Sequence, residues 1–246
     1  MTFSLTKLLQ QANYETPPPE AHQSHVEDFY GILKACGYKD RPDTRETVET
    51  AVAWFAQYAV HRKSVEAKGS PILHKSHAKT PEEWEVRQKM PIYAPPKKGL
   101  LLFGGCGTGK TMLLRILSAK DDRPEQRRNL PYQGIPFYSS ESLVADYQEE
   151  GEVAMKLFKA KKQTTLIIDE LGGERFVKVY GSDPIINDML IDRYKAFQWN
   201  HSFTLFATNL SLEDLQAKYS ERIVSRLHEM CEFVPCIGED WRKRTA

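Results

Sequence analysis

Two stretches of this chain carry residue types suited to phosphate chemistry. The first is Gly104-Gly-Cys-Gly-Thr-Gly-Lys110-Thr111, which fits the pattern G-x-x-x-x-G-K-[ST]. Gly104, Gly105, Gly107 and Gly109 permit backbone angles that turn successive N–H groups into one concave anion nest, with Cys106 and Thr108 between them. Lys110 supplies a point charge for β- and γ-phosphates, and the Thr111 hydroxyl is a hard oxygen ligand for Mg²⁺. A helix beginning here, with Met112 in its first turn, adds its positive end to the same place. The stretch from Gly104 to Met112 is therefore the predicted nucleotide contact.

The second stretch is Thr164-Thr-Leu-Ile-Ile-Asp169-Glu170, an apolar run released into two acids. A buried strand of this kind presents its carboxylates at its C-terminal end, where open α/β sheets bind ligands. Asp169 would hold Mg²⁺, and Glu170 would act as general base on an attacking water. An acid pair after an apolar strand is common by itself; paired with a phosphate loop it gains meaning.

Polar residues further on extend the set. Phe203-Thr-Leu-Phe-Ala-Thr208-Asn209 is another buried strand with a polar end. Asn209 could orient water against a γ-phosphate, although a strand-end Asn also serves as a turn residue. Arg222 and Arg226 lie one helical turn apart, hence on one face. Such a pair is usually solvated or ion-paired surface. Phosphoryl transfer, however, gains roughly 10³–10⁵ in rate from an arginine donated across a boundary in systems that use one. Arg226 is the first candidate for that finger and Arg222 the second. Arg242, in Asp240-Trp-Arg242, could reach phosphates of its own subunit.

Positioning these groups requires alternating strands and helices. Strands are expected at Leu100–Phe103, Ile135–Ser139, Thr165–Ile168, Phe203–Thr208 and Glu232–Val234. Helices are expected at Lys110–Ala119, Ser140–Glu149, Pro184–Phe197, Ser211–Tyr219 and Arg222–Met230. The alternation predicts an α/β fold, a parallel sheet with helices on both faces.

The first 90 residues read differently, as amphipathic helices with breaks. Leu5, Leu8, Leu9 and Ala12 share one helical face, which Pro17-Pro-Pro19 ends. Val26, Phe29, Tyr30 and Leu33 form a second stripe, with Gly37 placed to stop it. Asp43 and Glu46 resemble a capping box ahead of Val48, Ala51, Val52, Phe55 and Ala59. These predict a small all-α module over residues 1–90, ahead of a P-loop domain over residues 91–246. A helical decoration packed on the main domain is the alternative. Arg62, Lys63, Lys68, Lys75 and Lys79 face one acid, Glu66, in a stretch that reads as a solvated linker or a phosphate-contacting strip. His74 and His77 lack further ligands at metal-binding spacing. Thr80 and Pro81 look like another helix start.

Composition bounds the rest. The chain has 246 residues, 41% hydrophobic and 27% charged, which fits a globular protein. A formal net charge of +1 gives no global basic field, so any nucleic acid must be held by local patches. Cys36, Cys106, Cys231 and Cys236 are widely spaced and read as reduced thiols of a cytoplasmic protein. Neither a secretory leader nor a membrane span is expected.

The order of motifs resembles the AAA+ helicase-loader family, the DnaC-type and DnaI-type proteins, and the related IstB-type transposition helper ATPases. Gly104–Thr111, Leu166–Gly172, Phe206–Leu210, Glu221–Leu227 and Gly238–Arg242 carry the resemblance. It implies a P-loop NTPase with an AAA+ core. The helical lid of most AAA+ proteins is not expected, since only residues 227–246 follow Arg226. It implies ATP and Mg²⁺ as ligands, and a slow ATPase stimulated by partner or DNA. It further implies contact with a replicative DNA helicase through the N-terminal module, single-stranded DNA along the core, and self-association with ATP. The IstB-type alternative implies a transposition helper acting on duplex DNA. A nucleotide-gated binder with negligible turnover is a third reading, against which Glu170 argues. A zinc-binding N-terminal module is not expected, because residues 1–90 hold only Cys36.

Overall fold

The sheet forms where the apolar runs lie. The computed structural model describes residues 14–39, 41–68, 85–86, 89–118, 134–151, 165–174, 185–200 and 202–240. The predicted helix over Leu5–Ala12, the stretch holding His74, Lys75, His77 and Lys79, the helix start at Thr80, and Arg242 lie outside these residues. In chain order the elements are α1 (Pro19–Ala35), α2 (Arg45–Lys68), β1 (Gly99–Phe103), α3 (Lys110–Leu117), β2 (Phe137–Ser139) and α4 (Ser140–Glu150). There follow β3 (Leu166–Asp169), α5 (Ile185–Asn200), β4 (Thr204–Thr208), α6 (Leu212–Tyr219), α7 (Glu221–Met230) and β5 (Cys231–Pro235). The strands form one parallel sheet in the order β2-β3-β4-β1-β5. This is the α/β architecture that the sequence predicts.

Register aligns the C-terminal ends of the strands. Phe103 of β1 stands beside Thr208 of β4 and Pro235 of β5, and Ser139 of β2 stands beside Asp169 of β3. The loops after all these strands therefore gather along one edge. Because β4 lies between β1 and β3, Asn209 falls between the phosphate loop and the acid pair.

Strand side chains alternate between the two faces. Leu100, Leu102, Ile167, Leu205, Ala207 and Val234 join an apolar core with Phe29, Leu33, Val52 and Phe55 of α1 and α2 and Leu114 of α3. Leu101, Leu166, Ile168 and Phe206 point the other way, onto α4, α5, α6 and α7. Helices thus cover both faces, and α1 and α2 share a core with the sheet. Burying a large apolar side chain contributes about 1.5–3 kcal/mol, and Phe29, Phe55 and Phe206 are fully buried. Polar ties fix the N-terminal pair further. Trp54 Nε1 donates to the Lys98 carbonyl at 2.6 Å, and Thr47 Oγ1 donates to the Pro235 carbonyl at 2.8 Å.

Two local expectations resolve differently. Gly37 ends α1 in the left-handed region (φ 84°). The Tyr38 N–H bonds the Leu33 carbonyl and the Gly37 N–H the Lys34 carbonyl, a Schellman closure. Helix α2 opens at Arg45, so Thr44 rather than Asp43 stands directly before its first residue. The Asp43 carboxylate accepts a charge-assisted bond from Arg41 Nη2 at 2.6 Å. Among the described residues no helix is long and apolar enough to cross a membrane.

Candidate nucleotide-binding site

The phosphate loop runs from β1 into α3 as the motif requires. Gly104, Gly107 and Gly109 take φ of 136°, 75° and 92°, a region that L side chains enter only with strain. Gly109 is the N-cap of α3, so Lys110 and Thr111 open the helix and share its positive end. Lys110 is 6% exposed. Its ammonium donates to the Gly104 carbonyl at 2.9 Å, the Gly105 carbonyl at 2.7 Å and Thr108 Oγ1 at 3.3 Å. A buried cation thus sits inside its own loop, on acceptors that polyphosphate oxygens can replace at little cost.

Across the sheet edge, Thr111 Oγ1 donates to Asp169 Oδ1 at 3.0 Å. This contact joins the two stretches singled out in the sequence. Asp169 is 3% exposed, and burial pushes its carboxyl up from its ordinary value. The Thr111 hydroxyl and a backbone N–H pull in the opposite direction. Glu170 follows at φ 54°, outside the usual range for a non-glycine residue, and its side chain is exposed. Its carbonyl accepts from Ser140 Oγ at 2.6 Å and from the Gly173 N–H at 2.7 Å, which holds that conformation.

A cleft of about 730 Å³ is lined by Lys110, Thr111 and Glu170. Cys106 through Thr111, Met112, Glu170 and Asn209 line it from the sheet edge. Leu33, Tyr38, Lys39, Thr44, Thr47 and Val48 line it from the N-terminal helices. Nothing in the motifs pointed to this second wall. The one available signal was Gly37, since a Schellman closure fixes where Tyr38 and Lys39 emerge. Arg222 is exposed on α7 and Arg226 half-buried on the same helix; neither lines the cleft. Arg226 instead lies over the Tyr194 ring, 5.2 Å from its centroid. Its Nη1 is buried and makes no hydrogen bond among the described residues. All four cysteines are free thiols, and only Cys106 is exposed.

The residues fit a magnesium nucleotide. Mg²⁺ typically takes one or two carboxylates and completes its shell with phosphate oxygens and water, and Asp169 with Thr111 provides such a partial set. Thr44 Oγ1, buried in the cleft wall, makes no hydrogen bond among the described residues and so offers a polar atom to a ligand.

The sequence matches no family model and no curated protein. Solved structures are similar at low identity. The crystal structure of the DnaC helicase loader is 19% identical, with a TM-score of 0.43, over 58% of this chain and 79% of that one. That of DnaI is 16% identical, with a TM-score of 0.42, over 58% and 72%. Domain III of the replication initiation protein DnaA from Thermotoga maritima is 16% identical, with a TM-score of 0.43, over 89% and 68%.

Proposed function

We propose that this chain binds and hydrolyses Mg-ATP and uses the cycle to load a replicative helicase onto DNA. The observation that carries the nucleotide reading is the 3.0 Å contact between Thr111, directly after the buried Lys110, and Asp169. It brings phosphate donor, metal-ligand hydroxyl and carboxylate to one sheet edge. Thr111 and Asp169 would hold Mg²⁺, which would supply positive charge to the phosphates. Lys110 exchanges its loop carbonyls for β- and γ-phosphate oxygens. Glu170 polarises the attacking water, and Asn209, on the same cleft wall, orients it. The space between the Tyr38–Val48 wall and the loop takes the nucleoside.

The cleft also supports the coupling to a partner. Tyr38, Lys39 and Thr44 join α1 to α2 and form one wall of the cleft, so nucleotide occupancy acts directly on the N-terminal helices. With the motif resemblance, this makes a replicative helicase held by residues 1–90 the partner we propose, with single-stranded DNA on the ATPase core. Arg226 serves the nucleotide of a neighbouring subunit, and Arg242 that of its own.

The test is ATP turnover with and without single-stranded DNA, together with capture of a replicative helicase by the Glu170→Gln chain in ATP. Turnover and ATP-dependent capture support the reading. Hydrolysis without helicase capture would leave an ATPase with a different client. No hydrolysis under any condition would remove the catalytic claim.

A further inference from the structure

We infer that Glu174, Lys218 and Tyr219 are positioning residues for Glu170, tying the water-activating carboxylate to the helix pair that carries Arg222 and Arg226. This rests on the reading of Glu170 as general base.

The loop after β3 has an unusual conformation to maintain. Glu170 is left-handed at φ 54°, and the chain turns back at once so that the Gly173 N–H reaches the Glu170 carbonyl. A non-glycine residue in this region is strained and persists only where its surroundings over-determine it. On one side Leu171 is fixed to β4, its N–H on the Ala207 carbonyl at 2.8 Å and its carbonyl on Thr208 Oγ1 at 2.6 Å. The other side is held by side chains from α6.

Lys218 Nζ donates to the Gly172 carbonyl at 2.6 Å and to the Glu174 carbonyl at 3.0 Å. It also lies 3.4 Å from Glu174 Oε1. The Tyr219 hydroxyl donates to the same Oε1, and the second Glu174 oxygen accepts from the Gly172 N–H at 2.9 Å. Glu174 is 6% exposed and Tyr219 2%, so water competes little for these bonds. Burial and the adjacent Glu174 carboxylate push the Tyr219 hydroxyl far up, which keeps it a donor.

Glu174, Lys218 and Tyr219 do not line the nucleotide cleft. Any effect they have on hydrolysis must therefore pass through the loop. One residue after Tyr219, Ser220 turns the chain into α7, where Arg222 and Arg226 reside. The same knot that fixes Glu170 thus anchors the base of the arginine helix.

The test measures Mg-ATP affinity and turnover for Lys218→Met and Tyr219→Phe, each alone and combined with Glu170→Gln, with melting curves for every chain. Both single variants should lower kcat by about ten- to a hundredfold through misplacement of Glu170, without loss of nucleotide affinity. Neither should lower kcat further when Glu170 is already Gln. An unchanged kcat in a folded variant overturns the inference. So do losses that multiply fully with Glu170→Gln, or a fall in affinity that matches the fall in kcat. If Tyr219→Phe does not fold, Lys218→Met, at a partly exposed position, decides alone. Wild-type turnover in Glu170→Gln by itself would instead sink the general-base reading, and this inference with it.

Discussion

The cleft and the α7 helix hold the protein's candidate phosphate-handling groups under opposite conditions. At the sheet edge Lys110, Thr111 and Asp169 meet partners from the same chain. Lys110 sits on three acceptors of its own loop, and Thr111 bonds Asp169 at 3.0 Å. On α7, Arg226 lies over the Tyr194 ring, with its buried Nη1 left without a hydrogen bond among the described residues. Arg222, one turn earlier, is exposed. A site that satisfies itself can bind its ligand alone. A cation held on a ring, with donors in reserve, is arranged to meet an anion from elsewhere. Under the proposed function, binding would belong to one chain and full catalysis would draw on a second.

The largest effect that could break this comparison is at Arg226. In the Arg226→Ala chain, turnover should fall by about 10³-fold, the lower end for a lost arginine finger, with Mg-ATP affinity unchanged. Mixing this chain with Glu170→Gln subunits should restore part of the activity, because each supplies what the other lacks. Weakened ATP binding in Arg226→Ala would place the arginine in its own chain's cleft and erase the distinction.

Glu170→Gln tests the cleft side. Loss of the base should lower kcat by about 10²-fold, the lower end for general-base catalysis, with bound ATP retained. Single-turnover kinetics would read this directly, and ATP release as fast as in wild type would count against it.

Asp169→Asn has a smaller effect, of opposite sign in two states. Burial raises the Asp169 pKa in the folded chain, so ionisation costs stability as pH rises above the unfolded value and costs nothing below it. Without nucleotide, the Asn chain should melt no lower than wild type at neutral pH and should lose part of wild type's pH dependence. With Mg-ATP it should gain much less thermal stabilisation than wild type. Differential scanning fluorimetry across pH, with and without Mg-ATP, checks both.

The smallest effect sharpens the α7 side. Tyr194→Leu removes the ring under Arg226, whose interaction is worth about 0.5–1 kcal/mol at an exposed site. Turnover should fall only several-fold, whereas Tyr194→Phe, which keeps the ring, should stay close to wild type. Equal losses in both would assign the effect to the Tyr194 hydroxyl and its bond to Glu229.

The cleft was legible because its signals are local. Gly104–Thr111 and Asp169–Glu170 are contiguous stretches whose chemistry follows from residue type, and the apolar runs before them could only be buried strands. Boundaries shifted slightly: Ile135 is buried yet precedes β2, which starts at Phe137. Amphipathic stripes on α1 and α2 revealed which faces are buried but not against what, and their partner is the sheet itself. Tyr38 and Thr44 entered the cleft wall for the same reason, through tertiary packing. Glu174, Lys218 and Tyr219 carry no motif. Lysine and tyrosine at the end of a helix look like ordinary surface residues until the loop they hold is in view. The helix behind Asp43 starts at Arg45, and the Asp43 carboxylate pairs with Arg41.

The most direct measurement is isothermal titration of Mg-ATP into the wild-type chain and into Lys110→Ala. One site per chain is expected in the wild type. In the variant, affinity should be lower by about a hundredfold or more, the cost of losing a charged donor to the triphosphate, with the melting curve still cooperative. Equal affinity in the two folded chains would contradict this, because the buried ammonium at the sheet edge would then have no part in gripping nucleotide.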